Sequence, residues 1–142
     1  MEEAALRVSL TAPPSDPADD SLPVKVVVTN ASVTPLLLNS RLLVNHRVSR
    51  GELYFSIEDA DGQSYQLQGF GKPRALGEAD FVVVPSGQSI EAAITLGDRY
   101  GLKRPGTYRV SVTYRNDQEW VKGDLTAWRG EAHSDTVTVG WN

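Results

Sequence analysis

The chain predicts an all-β fold, an antiparallel β-sandwich of about eight or nine short strands. Three observations carry that expectation. Tyr108, Val110, Val112 and Tyr114 alternate strictly with Arg109, Ser111, Thr113 and Arg115, the period of two of a half-buried strand. Pro105-Gly106 just before it reads as a turn whose glycine takes positive φ. Comparable segments recur at roughly 8–12-residue spacing, separated by Gly, Pro, Asn and Asp. Nowhere does an apolar 3.6-residue period persist for the roughly ten residues that a helix needs.

Taken in order, Leu6, Val8 and Leu10 alternate with Arg7, Ser9 and Thr11 in a first strand. A Pro- and Asp-rich loop over 13–20 leads to Val24, Val26 and Val28, in a strand that stops at Asn30. Leu36-Leu37-Leu38 and Leu42-Leu43-Val44 have no clean period and read as two short strands around a bend at Asn39-Ser40. Leu53, Phe55 and Ile57 form the next strand. The turn Asp59-Ala60-Asp61-Gly62 then returns the chain through Tyr65 and Leu67 as a hairpin. A long loop holding Gly69, Gly71, Pro73 and Gly77 follows. Phe81–Val84 and the alternating Ile90, Ala92, Ile94 and Leu96 flank a turn at Pro85-Ser86-Gly87. After Tyr108–Tyr114, Asp117–Thr126 reads as a loop, and Val137, Val139 and Trp141 mark the last strand.

With 40% hydrophobic and 23% charged residues, residues 1–142 read as one domain large enough to bury a core, with no internal repeat or linker. A net charge of -4 argues against a nucleic-acid binder, which needs a basic face to neutralise phosphates. No apolar run reaches bilayer-spanning length, and Met1-Glu2-Glu3 lacks the basic start of a signal peptide, so membrane insertion is not expected. Zero cysteines remove disulfides, thiolate catalysis and Cys-ligated metal, and leave the compartment open.

The segment Tyr100-Gly101-Leu102-Lys103-Arg104-Pro105-Gly106-Thr107-Tyr108-Arg109-Val110 resembles the corner that closes many immunoglobulin-like and fibronectin-type sandwiches, where the chain crosses between sheets and a Tyr or Leu plugs the core. The ending Trp128 to Val137 is similar to the final strand of bacterial immunoglobulin-like modules and of the β-domain preceding deuterolysin-type zinc proteases. The order of elements resembles the intracellular proteinase inhibitors of bacilli. The resemblance implies an immunoglobulin-like sandwich; it says little of function, because such motifs are structural. The zinc motif of the proteases has no counterpart here.

Several segments suggest chemistry, and each has a plainer explanation. Asp59-Ala60-Asp61-Gly62 looks like the start of a calcium loop, but the twelfth position is Phe70 where a bidentate Glu is needed, and a hairpin turn explains the same letters. His133-Ser134-Asp135 holds the residue types of a hydrolytic triad, yet alternation along a strand points Ser134 away from both neighbours. Gly69-Phe70-Gly71-Lys72 resembles a phosphate loop without Walker spacing or a following helix. Asn30-Ala31-Ser32 is a formal glycosylation sequon and equally a strand-end turn. Glu58, Glu78 and Asp80 are the nearest carboxylates for a glycosidase pair, with nothing in their spacing to bring two together.

Two segments point to binding. Arg41, His46, Arg47 and Arg50, with Lys72 and Arg74 later, form a basic cluster that suits an acidic partner or glycan, or else blunts a sheet edge. The loop Asp117–Asp124 carries Trp120, Val121 and Lys122, where Trp120 is either an interface anchor or a lid on the core. The leading expectation is a non-catalytic interaction or accessory module that binds another protein or a glycan through its end loops, without cofactor or metal. The alternatives are a proteinase inhibitor using the loop Gly69–Asp80, and a structural spacer of a larger surface protein.

Overall fold

In a computed structural model, residues 5–12, 21–46, 51–68 and 74–141 are described. They form β1 (Leu6–Thr11), β2 (Pro23–Asn30), β3 (Leu36–Asn39), β4 (Leu53–Asp59), β5 (Ser64–Tyr65), β6 (Phe81–Val84) and β7 (Ser89–Thr95). These are followed by β8 (Gly106–Asn116), β9 (Val121–Lys122), β10 (Leu125–Thr126), β11 (Gly130–His133) and β12 (Val137–Trp141). One 3-10 turn, Glu78–Asp80, precedes β6. The fold is all-β, and among the described residues the strands pair antiparallel, with isolated parallel bridges at Leu37–Ala127 and Val44–Leu53.

One sheet has the order β1-β2-β7, and a larger one runs β11-β8-β4-β5, with β12 continuing β11 along the same side of β8. β3 pairs with β6, and β9 with β10. The alternation read from the sequence decides which side chains go in. Val24, Val26 and Val28 of β2 and Val110, Val112 and Tyr114 of β8 are buried in one hydrophobic cluster, so the two larger sheets share a core. A second, smaller cluster of Leu37, Phe81 and Ala127 lies under β3 and β6.

Several expectations change. Leu42-Leu43-Val44 is not a strand: Leu42 sits at φ 52, and Val44 makes only an isolated bridge to Leu53. Leu42 is nonetheless buried. The segment read as the loop Asp117–Thr126 contains the β9–β10 hairpin, and β11 follows it. β6 and β7 flank the turn at Pro85-Ser86-Gly87 as expected, β6 pairing with β3 and β7 with β2. Gly106 is not among the positive-φ glycines; a Cβ there would lie 2.7 Å from the Lys103 carbonyl and 2.8 Å from the Tyr108 hydroxyl. Close approach, not φ, therefore demands glycine at this corner.

Candidate functional site

Arg41 and Trp120, from the two segments singled out in the sequence, line one cleft of about 650 Å³. Glu52, Arg74, Leu76 and Gln118 are among its walls, together with the carboxylate residues Asp117 and Glu119. Arg41 is fixed rather than free. Its Nε donates to Glu52 Oε1 at 2.8 Å and a terminal nitrogen to Oε2 at 2.7 Å, in a two-pronged pair with side chains only 8% and 4% exposed. The other terminal nitrogen donates to the Arg74 carbonyl at 2.7 Å, and the Leu43 amide donates to Glu52 at 3.1 Å. A buried charge pair with its remaining groups hydrogen-bonded is a rigid strut.

Arg74 is held in turn by a two-pronged pair with Asp80, whose carboxylate also accepts from the Gly77 amide at 2.8 Å. The Arg74 guanidinium holds the Asp80 carboxyl down at about 2. The cationic side chains of this cleft are thus internally neutralised.

Beneath the cleft, two buried asparagines join its walls. The Arg41 amide donates to Asn39 Oδ1 at 3.1 Å, and Asn39 Nδ2 donates to Asn116 Oδ1 at 3.1 Å. Asn116 Nδ2 donates to the carbonyls of Gln118 at 3.0 Å and Trp128 at 2.8 Å. Tyr114, its hydroxyl pKa raised by burial, donates to the Asn39 carbonyl at 2.8 Å.

Trp120 is half-buried and stacks on Phe81, with ring centroids 4.8 Å apart and planes 7° from parallel. It is therefore a lid on the small cluster and a wall of the cleft at once. Lys122 reaches back to the Phe81 carbonyl at 3.2 Å, whereas Val121 points outward, 63% exposed. The β9–β10 hairpin thus sets Trp120 into the cleft and leaves Val121 off it. Arg47 and Arg50, and the loop Gly69-Phe70-Gly71-Lys72, lie outside the described residues. Sequence reading missed Glu52, whose one available signal was an acidic residue directly before the apolar start of β4, whereas Gln118 and Leu76 lie within the loops Asp117–Asp124 and Gly69–Asp80 without being singled out there.

The other motifs resolve into structure. Asp59 Oδ1 accepts from the amides of Asp61 and Gln63, each at 2.9 Å, and Oδ2 from the Tyr65 hydroxyl at 3.0 Å. Those bonds, the Gln63 amide first, lower the Asp59 pKa and lock the hairpin turn. Asn30 is fully buried, with Nδ2 donating to the carbonyls of Thr34 and Val84 at 2.8 Å each, so the folded chain offers no sequon nitrogen. His133 Nδ1 meets Thr113 Oγ1 at 2.8 Å, and Ser134 Oγ donates to the Asp135 carbonyl at 2.9 Å, so no relay forms among the three neighbours. Glu58 pairs with Arg109, and Asp80 is driven toward ionisation, opposite to what a general acid near neutral pH needs.

Among the described residues no group of three His, Cys, Asp or Glu is placed to hold a metal, and no helix is long and apolar enough to cross a membrane. No protein-family model matches this chain, and no curated protein matches it either.

Proposed function

We propose that the chain is a non-catalytic, immunoglobulin-like interaction module that holds a segment of a partner protein in the cleft between Arg41 and Trp120. The observation that carries the reading is the convergence of these residues, from distant parts of the sequence, on one cleft braced by Glu52, Asn39 and Asn116. A preorganised cleft with a fixed aromatic wall binds without the entropy cost of ordering its own side chains.

Two features support the sandwich assignment. The orders β1-β2-β7 and β12-β8-β4-β5 follow the immunoglobulin arrangement of A-B-E facing G-F-C. The Tyr108 hydroxyl, at the start of β8, donates to the Lys103 carbonyl at 2.6 Å and accepts from its amide at 2.9 Å, the bonding of a tyrosine corner.

In the described part of the loop considered for proteinase inhibition, Arg74 pairs with Asp80 and its carbonyl accepts from Arg41, which favours the cleft reading.

The test is capture and crosslinking of a partner by the wild-type chain, repeated with Trp120→Ala and with a fold check by circular dichroism. Loss of the partner in the folded variant, with crosslinks at Gln118 or Leu76, is the expected result. Capture that survives Trp120→Ala, with crosslinks elsewhere, overturns the reading. A glycan in place of a protein appears as Trp120-dependent binding on a glycan array, and overturns the protein-segment part of the proposal.

A further inference from the structure

We infer that β7 is the dimerisation edge of this protein, pairing antiparallel with β7 of a second copy about a two-fold axis at Ala92. β7 pairs with β2 on one side only, and no described residue pairs with its other side. The Leu96 amide donates to the Leu22 carbonyl at 3.0 Å and the Asn30 amide to the Gln88 carbonyl at 2.9 Å, which fixes the phase of the ladder. In that phase Ile90, Ala92 and Ile94 turn their N–H and C=O groups to β2. Ser89, Glu91, Ala93 and Thr95 turn theirs outward.

This is a seven-residue edge without Pro, and none of its residues has positive φ. Natural sheets usually defend such an edge with lysine, proline, a bulge or a short strand. β6, which pairs only with β3, shows the contrast: Lys122 donates to its Phe81 carbonyl. Ile90 and Ala92 face the core and yet remain only half-buried, so the core itself is open along this side.

The occupant follows from self-complementarity in the register. Centring on Ala92 places Glu91 opposite Ala93 of the second copy and Ser89 opposite Thr95, each as a hydrogen-bonded pair. On the core side Ala92 meets Ala92, and Ile90 meets Ile94, which covers the half-buried residues. On the solvent side Lys25 sits beside Ala93 in the β2–β7 register, and its Nζ lies 3.2 Å from its own Glu91. The small Ala93 leaves the Glu91 of the second copy within reach of that same lysine, so two lysines and two glutamates alternate across the axis. Centring on Glu91 instead would set two carboxylates directly opposite, which is unfavourable. A pair of β1-β2-β7 sheets then forms one continuous six-stranded sheet.

The test is sedimentation of the full chain from micromolar to near-millimolar concentration, with variants chosen to spare the fold. Ala93→Pro removes an outward N–H that β2 does not use, and should yield a monomer with unchanged circular dichroism. Glu91→Lys should weaken the dimer about tenfold, and Lys25→Glu added to it should restore it. Because the chain has no cysteine, Ala92→Cys reports the register: the two thiols should oxidise to an intermolecular disulfide, and those of Ser89→Cys should not. A wild-type chain that stays monomeric throughout, or a dimer indifferent to Ala93→Pro and Glu91→Lys, overturns the inference.

Discussion

The side-chain amide of Asn39 donates to that of Asn116 across 3.1 Å, although the two residues stand 77 positions apart. Both are almost wholly buried, and between them they bond to Arg41, Gln118 and Trp128. Replacing Asn116 with Ala removes the partner of two donors, the Asn39 side-chain amide and the Gln118 amide, and of the Gln118 and Trp128 carbonyls, all buried or part-buried. We expect a loss of about 2–4 kcal/mol in urea denaturation, since each orphaned group costs about 1–3 kcal/mol. A shift under about 0.5 kcal/mol would show that water takes over these bonds and that the network is not a brace.

The Arg41–Glu52 pair is expected to behave as a unit. Glu52→Gln should cost about 3–5 kcal/mol, because it strands a buried guanidinium. The double variant Arg41→Met/Glu52→Leu should recover most of that loss, since neither charge is left unpaired. A denaturant-based double-mutant cycle measures this directly, and a double variant as unstable as the sum of its singles rules the strut out.

Trp120 carries packing and recognition together, and its variants should separate them. Trp120→Phe keeps a ring on Phe81 and should cost under about 1 kcal/mol, whereas Trp120→Ala uncovers Phe81 and should cost about 1–3 kcal/mol. Partner capture should fall with Trp120→Ala beyond what the measured unfolded fraction explains. Loss of capture in strict proportion to unfolding would reduce Trp120 to a lid.

Asp80 gives the protein an acid-sensitive clamp. Its pKa drops from 3.8 to about 2 in the folded chain, chiefly through the Arg74 guanidinium. A carboxylate with a depressed folded pKa contributes stability that is present above the unfolded value and disappears as pH falls through the folded one. Wild-type stability should therefore decline from about pH 4 to about pH 2 more steeply than that of Asp80→Asn, whose side chain does not titrate. Parallel slopes for the two proteins in thermal melts over that window would contradict the assignment.

Much of the sheet architecture was legible because burial on one face writes a period of two into the chain. Leu6 to Leu10, Val24 to Val28 and Tyr108 to Tyr114 announce β1, β2 and β8, and the Asp59–Gly62 turn announces the β4–β5 hairpin. Where side chains face neither one way nor the other, the signal failed. β9, β10 and β11 are two to four residues long and largely exposed, so no alternation marks them. Leu42 reads as apolar strand, while its backbone takes a left-handed conformation that no local period announces.

The candidate site was legible in pieces only. Arg41 and Trp120 stood out by residue type, each with a bland explanation, and nothing in the chain joined them. The sequence by itself determined the all-β class and most strand positions, because those follow from local alternation and turn chemistry. Tertiary structure alone decided that Arg41 is neutralised by Glu52, that Trp120 lies on Phe81, and that both line one cleft. Such pairings depend on which strands meet, and strand order is set by long-range burial that no local period records.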